Sequence, residues 1–352
     1  MATLAFLFTS CSNDQQEISN SSQNKIDMSD FYVYTDNLEN GSVTGKTGNT
    51  NHTCVSMEVL NKKLEENPKL YQQMYNVEYH TRATLGNKKP GGGNGNGNGN
   101  GNNGDGGDNG DGGSDNLGVI NIPVYVHVIY SNSNENISDQ QINSQISVLN
   151  NDFRASNNDV NQVPSEFSGL VADSEISFSL EGTFRHANSR TSWGTNDAMK
   201  SAYPPVSPQT HLNIWVCNIG GGILGYAQFP GGASSTDGVV ISPQYFGSTG
   251  YVSAPFNKGR TATHEVGHYL NLRHIWGDGK CRRDDYVADT PSSDGPNYGC
   301  PSYPTVNCRS NDMTMNYMDY VDDQCMYMFS EGQKSRMRAI FASGGPRAGM
   351  LN

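Results

Sequence analysis

Hydrophobic and polar positions sort the chain into a short helical stretch, a polar tract and a longer mixed region. From Ile120 to Tyr130 apolar residues alternate, with Ile122, Val124, Val126 and Val128 on one face, which predicts a strand. Ile142, Ile146, Leu149 and Phe153 then follow at spacings of 4, 3 and 4, the stripe of an amphipathic helix. Ser138 and Gln141 read as its capping box. Ile176, Phe178 and Leu180 mark a second strand, and Leu212, Ile214 and Val216 a third. Gly225 to Pro230 is short, with Gly before and Pro after, as suits an edge strand. Asp237 to Ile241 is a further strand, and Ser330-x-x-Gln333 caps a last helix carrying Met337, Ile340 and Phe341. Further upstream, Met57, Leu60 and Leu64 share helical spacing, and Pro68 breaks the run into a second helix with Leu70, Tyr71 and Met74. That pair is too small to bury its own core, so it is expected to dock on something larger.

The remainder is polar. Residues 12–50 are rich in Ser, Asn, Gln and Thr and carry no structural pattern. Residues 90–115 are almost wholly Gly, Asn and Asp, a flexible coil spanning about 28 Å and lacking a nine-residue calcium repeat. Four segments follow: 1–11, a signal-like or lipoprotein-like leader; 12–89, a propeptide; 90–116, a linker; and 117–352, the main domain. In MATLAFLFTSC the apolar core is short, and Cys11 after Phe8-Thr9-Ser10 resembles a lipid-acylation site. An ordinary cleaved signal is the alternative. Either way a secreted or outer-surface bacterial protein is expected. A net charge of −12 argues against nucleic acid as partner, and no run is long enough to span a membrane. A monomer is expected.

One stretch carries chemistry. His264-Glu265-Val266-Gly267-His268 places two imidazoles four residues apart on one helix face, with Glu265 beside them to hold a water. Three protein ligands and an open position make a catalytic zinc site, and His274 is the third candidate. To bring it back the chain must turn near Asn271, a residue that tolerates positive φ. The bland alternative is a helix with buried, satisfied histidines. Eight His in 352 residues make a third at this position a poor accident.

With Trp276-Gly277-Asp278 and Met315-Asn316-Tyr317-Met318-Asp319-Tyr320, these residues resemble the pappalysin-type metzincin metallopeptidases, and among them the cytophagalysin-like members. The resemblance covers roughly residue 117 to the end, more faintly the region of Cys54; Asn271 departs from the family's usual Gly. It implies an α+β, zincin-like catalytic domain that hydrolyses protein or peptide substrates. Zinc would polarise the scissile carbonyl, Glu265 would act as general base, and Met318 would floor the metal. Tyr320 would meet the oxyanion; its alternative is core packing. The resemblance also suggests Cys54 as a zinc ligand in a latent proform, and calcium at Asp285, Asp289 and Thr290, where solvated surface acids are the alternative. Asp319, Asp322 and Asp323 are weak candidates for a pocket favouring Arg or Lys.

Seven cysteines occur, four of them in irregular sequence after the motif, which suggests two disulfides and an oxidising compartment. Spacing leaves the pairing open; the resemblance implies Cys281–Cys308 and Cys300–Cys325. Cys54 and Cys217 could then bridge, or Cys217 could be a buried core thiol. Processing is expected between Arg82 and Asp115, with Arg82 and Lys88 as sites. Two rivals to a peptidase with three His ligands are a zincin with a downstream Glu ligand, and an adhesive module with a structural or dead zinc site.

Overall fold

The computed structural model describes residues 26–34, 54–86 and 115–351. The leader with Cys11, Lys88 and nearly all of the Gly/Asn tract lie outside the described residues.

The alternating run forms strand β1 (Ile120–Tyr130), and its inward Ile122, Val124, Val126 and Val128 are completely buried. It pairs in parallel with β2 (Ile176–Ala187) on one side and β3 (Leu212–Val216) on the other. Strand β4 (Gly225–Ala227) lies antiparallel on β5 (Val239–Ile241), which pairs with β3, giving a mixed sheet in the order β2-β1-β3-β5-β4. Only Gly225–Ala227 of the Gly-to-Pro segment forms strand, so Pro230 lies past the ladder and costs it no bond. Phe153 of α3 (Asp139–Phe153) and Ala262 and Val266 of α5 (Arg260–Tyr269) join one core with the sheet, and the short α4 (Ala198–Ala202) lies between β2 and β3 in the chain.

Ser138 accepts from the Gln141 backbone, but the Gln141 side chain does not complete the expected box. Its amide donates instead to the carbonyls of Pro243 and Phe246, because burial gives it better acceptors than the helix end. The box at the C-terminal helix, α6 (Glu331–Ala339), is complete, with Ser330 and Gln333 bonded reciprocally.

Upstream, α1 (Ser56–Glu66) and α2 (Lys69–Thr84) meet at Pro68. Met57, Leu60, Leu64, Leu70 and Met74 bury themselves around Phe229 of the main domain and Val33 of the 26–34 segment. Each such side chain contributes about 1.5–3 kcal/mol. Arg82 sits on this helix with 4% exposure, bonded to Glu78 and Asp30, so it is not the open processing site expected.

Candidate active site

Helix α5 carries His264 and His268 one turn apart, both buried, with their rings 4.7 Å apart. After Leu270 the chain reverses through Asn271 at φ 78°. The turn returns His274 to within 3.1 Å of His268, Nε2 to Nε2. Asn at the reversal therefore does what Gly would.

Each imidazole is anchored from behind. Nδ1 of His264 lies 2.7 Å from the Tyr317 carbonyl and Nδ1 of His268 2.9 Å from that of Leu272; Nδ1 of His274 meets the Asp278 carboxylate. These oxygens accept, so Nδ1 carries the proton and Nε2 the lone pair in each neutral ring. Burial and His274 hold His268 neutral. Metal binding requires both rings neutral, and the facing Nε2 atoms of His268 and His274 would then share one cation. Nitrogens about 2.0–2.1 Å from one tetrahedral zinc stand about 3.3 Å apart, close to the observed separation. The Cys54 sulfur joins them 3.6 Å from His268 Nε2, and the four ligand atoms all lie within 4.8 Å of one another. The donor set fits zinc.

Glu265 is buried beside this cluster, and burial pushes its carboxyl up to about 7 against the lowering bonds from Ser56 and Cys54. Ser56 donates to Glu265 Oε2 at 2.7 Å and accepts the Ala227 N–H of β4 at 2.8 Å. The Val55 N–H meets the Gly225 carbonyl, so residues 54–56 extend the sheet along β4 in parallel. The Tyr320 hydroxyl donates to the Cys54 carbonyl at 3.2 Å, and its ring stands edge-on to His274.

Beneath the cluster, a Cβ on Gly267 would meet the Met318 sulfur at 2.5 Å, so a larger residue here would have to push Met318 aside. Asn316 accepts the Met318 N–H and bonds Gln333 of α6, fixing that floor to the C-terminal helix.

The loop that follows is tied by disulfides Cys281–Cys308 and Cys300–Cys325; Cys54 and Cys217 are buried free thiols, so the alternative bridge between them does not form. The Thr290 hydroxyl donates to Asp285, and Asp289 accepts from Ser330 and Gly332. Among the described residues these acids form no second group of three candidate ligands. Asp319 and Asp323 are fully buried and accept main-chain N–H groups of Asn297 and of Lys258 and Arg260. Sequence reasoning missed Ser56 and the β4 pairing, which act across long separations, and the role of Asp278 behind His274, although only four residues separate them.

The comparisons agree with this geometry. The profile of the family described as "Pregnancy-associated plasma protein-A" (Peptidase M43) matches residues 205–342. Extracellular metalloprotease 1 of Coccidioides posadasii is 36% identical over 235 residues, covering 63% of this chain and 77% of its own. The extracellular metalloprotease of Pyricularia oryzae is 35% identical over 236 residues, covering 63% and 75%. Among solved structures, Tannerella forsythia mature mirolysin in complex with a cleaved peptide is 45% identical, covering 66% and 96%, with a TM-score of 0.64. A promirolysin mutant from that organism is 37% identical, covering 85% and 96%, with a TM-score of 0.70. The buried histidine cluster and mixed sheet are those of a metallopeptidase, an enzyme that hydrolyses peptide bonds. The chain belongs to the pappalysin family.

Proposed function

We propose that the chain is a secreted zinc endopeptidase made as a latent proform. His264, His268 and His274 would hold the zinc, with Cys54 as a fourth ligand until the propeptide (12–89) is cut from the catalytic domain (117–352) within the 90–116 linker. Convergence of the Cys54 sulfur on the three imidazoles carries this reading. It is supported by relatives named as extracellular enzymes and by a promirolysin structure that matches more of this chain than mature mirolysin does.

Bound zinc would supply a Lewis acid that polarises the scissile carbonyl and acidifies water. Glu265 takes the proton of the attacking water and delivers it to the leaving amine. The Tyr320 hydroxyl, which here meets a peptide carbonyl, stabilises the oxyanion as it forms. Substrate lies along the free edge of β4, the edge that residues 54–56 now cover. In the proform Cys54 takes the open ligand position and Ser56 ties up Glu265.

Zinc content and peptide cleavage of Glu265→Ala and Cys54→Ala test this. Glu265→Ala retains zinc and loses about 10²–10⁴-fold in turnover after processing. Cys54→Ala in the full chain shows activity before cleavage. Near wild-type turnover in the first, or unaltered latency in the second, refutes the corresponding role.

A further inference from the structure

Lys63, half-buried on α1, reaches into the main domain. Its Nζ lies 2.6 Å from Asp197 Oδ2 and 3.1 Å from Gln228 Oε1. The two acceptors are built into the catalytic part. Asp197 Oδ1 is held by the Tyr226 hydroxyl at 3.0 Å and by the wholly buried Lys200 at 3.1 Å. Lys200 also donates to the Thr236 carbonyl, and its charge lies over the rings of Trp215 and Tyr226. Gln228 is oriented by donating to the Ala233 carbonyl at 2.8 Å, which leaves its oxygen to Thr236 and Lys63. One oxygen of Asp197 is thus structural, and the other faces α1. A cavity of about 190 Å³ adjoins this point, between α1 and the chain just past β4.

We propose that Asp197 and Gln228 form a specificity subsite for the ammonium or guanidinium of a Lys or Arg residue in the peptide substrate. Lys63 fills it in the full chain. This rests on the reading of α1 as a removable propeptide helix. Once α1 leaves, Lys200 still holds Oδ1 and Thr236 still bonds the Gln228 oxygen, while Oδ2 and that oxygen lose Lys63 and open onto the cavity beside β4. Lys63 stands seven residues beyond Ser56. That is about 10 Å along a helix, or about three residues of an extended substrate. The subsite therefore reads a side chain remote from the scissile bond, on the side served by Gln228. An ammonium with two oxygen acceptors, one charged and mostly buried, is the geometry in which a charge-assisted bond discriminates well.

The test uses processed enzyme and peptide pairs that differ only by Lys or norleucine at successive positions on each side of the cleaved bond. Wild type is expected to show about a tenfold kcat/KM advantage for Lys at one position about three residues from the bond, the size of one such bond. In Gln228→Lys, which puts an ammonium into the site and leaves the Asp197–Lys200 pair in place, the ratio falls to about one. Asp197→Asn gives the same result where it folds. A ratio near one everywhere in wild type, or one preserved in Gln228→Lys, overturns the subsite. Latency is read separately, as turnover of the full chain before processing. A full chain as fast as the processed enzyme sinks latency and leaves the peptide ratio to decide the subsite.

Discussion

Helix α2 is held on the main domain by a buried ion cluster, and replacing Glu78 by Gln measures its strength. Glu78 on α2 meets Arg336 of α6 at 2.6 Å and Arg82 at 2.8 Å, with all three at most 4% exposed. Burial alone would raise the Glu78 carboxyl; the Arg336 charge and the bonds from both arginines outweigh it and bring it down to about 2. Against the ordinary 4.5 that shift corresponds to about 3 kcal/mol. This agrees with the roughly 3–5 kcal/mol lost when one partner of a buried pair is removed. Gln keeps the volume and leaves Arg336 buried without a counter-charge, so docking of α2 weakens by about two orders of magnitude. Hydrogen exchange over 69–84 in the full chain, together with the rate of protease processing, reads this out. Both should accelerate in Glu78→Gln. A carboxylate whose pKa is depressed on docking stabilises fully above its free value and loses that contribution as pH falls through the docked value. Wild-type protection should therefore include a step lost from about pH 4.5 towards 2, absent in Glu78→Gln. Unchanged exchange and processing in the variant would refute the anchoring role.

His274→Ala should lose its metal in the processed enzyme, where two ligands remain, yet retain more in the full chain, where Cys54 makes a third; metal analysis of both forms checks this. Full occupancy of the processed variant would mean another ligand. Tyr320→Phe should lower kcat about 10²–10³-fold with little change in KM, the pattern of a contact made in the transition state. A loss confined to KM would mean that the hydroxyl binds substrate. Ser56→Ala should leave zinc bound and weaken latency by about 1–3 kcal/mol, since the buried Ala227 N–H and Glu265 both lose a partner. Equal latency in wild type and variant counts against Ser56 as a lock.

Periodicity was enough for β1, α3 and the break at Pro68, because backbone geometry repeats locally and burial follows it. The same locality made the histidine cluster legible. Two of its imidazoles lie one helical turn apart, and the third returns through a single residue whose type permits positive φ. Spacing alone left the cysteine pairing open, and Gln141 looked like half of a cap. The folded chain decided those, since closing a disulfide or choosing an acceptor depends on which loops are brought together. The pairs Ser56–Glu265, Glu78–Arg336 and Lys63–Asp197 are separated by more than 100 residues, and no local pattern announces them. A serine, a glutamate and a lysine on a polar helix read as solvated surface. Only docking strips their water and gives them partners, and there a hydrogen bond or ion pair becomes specific.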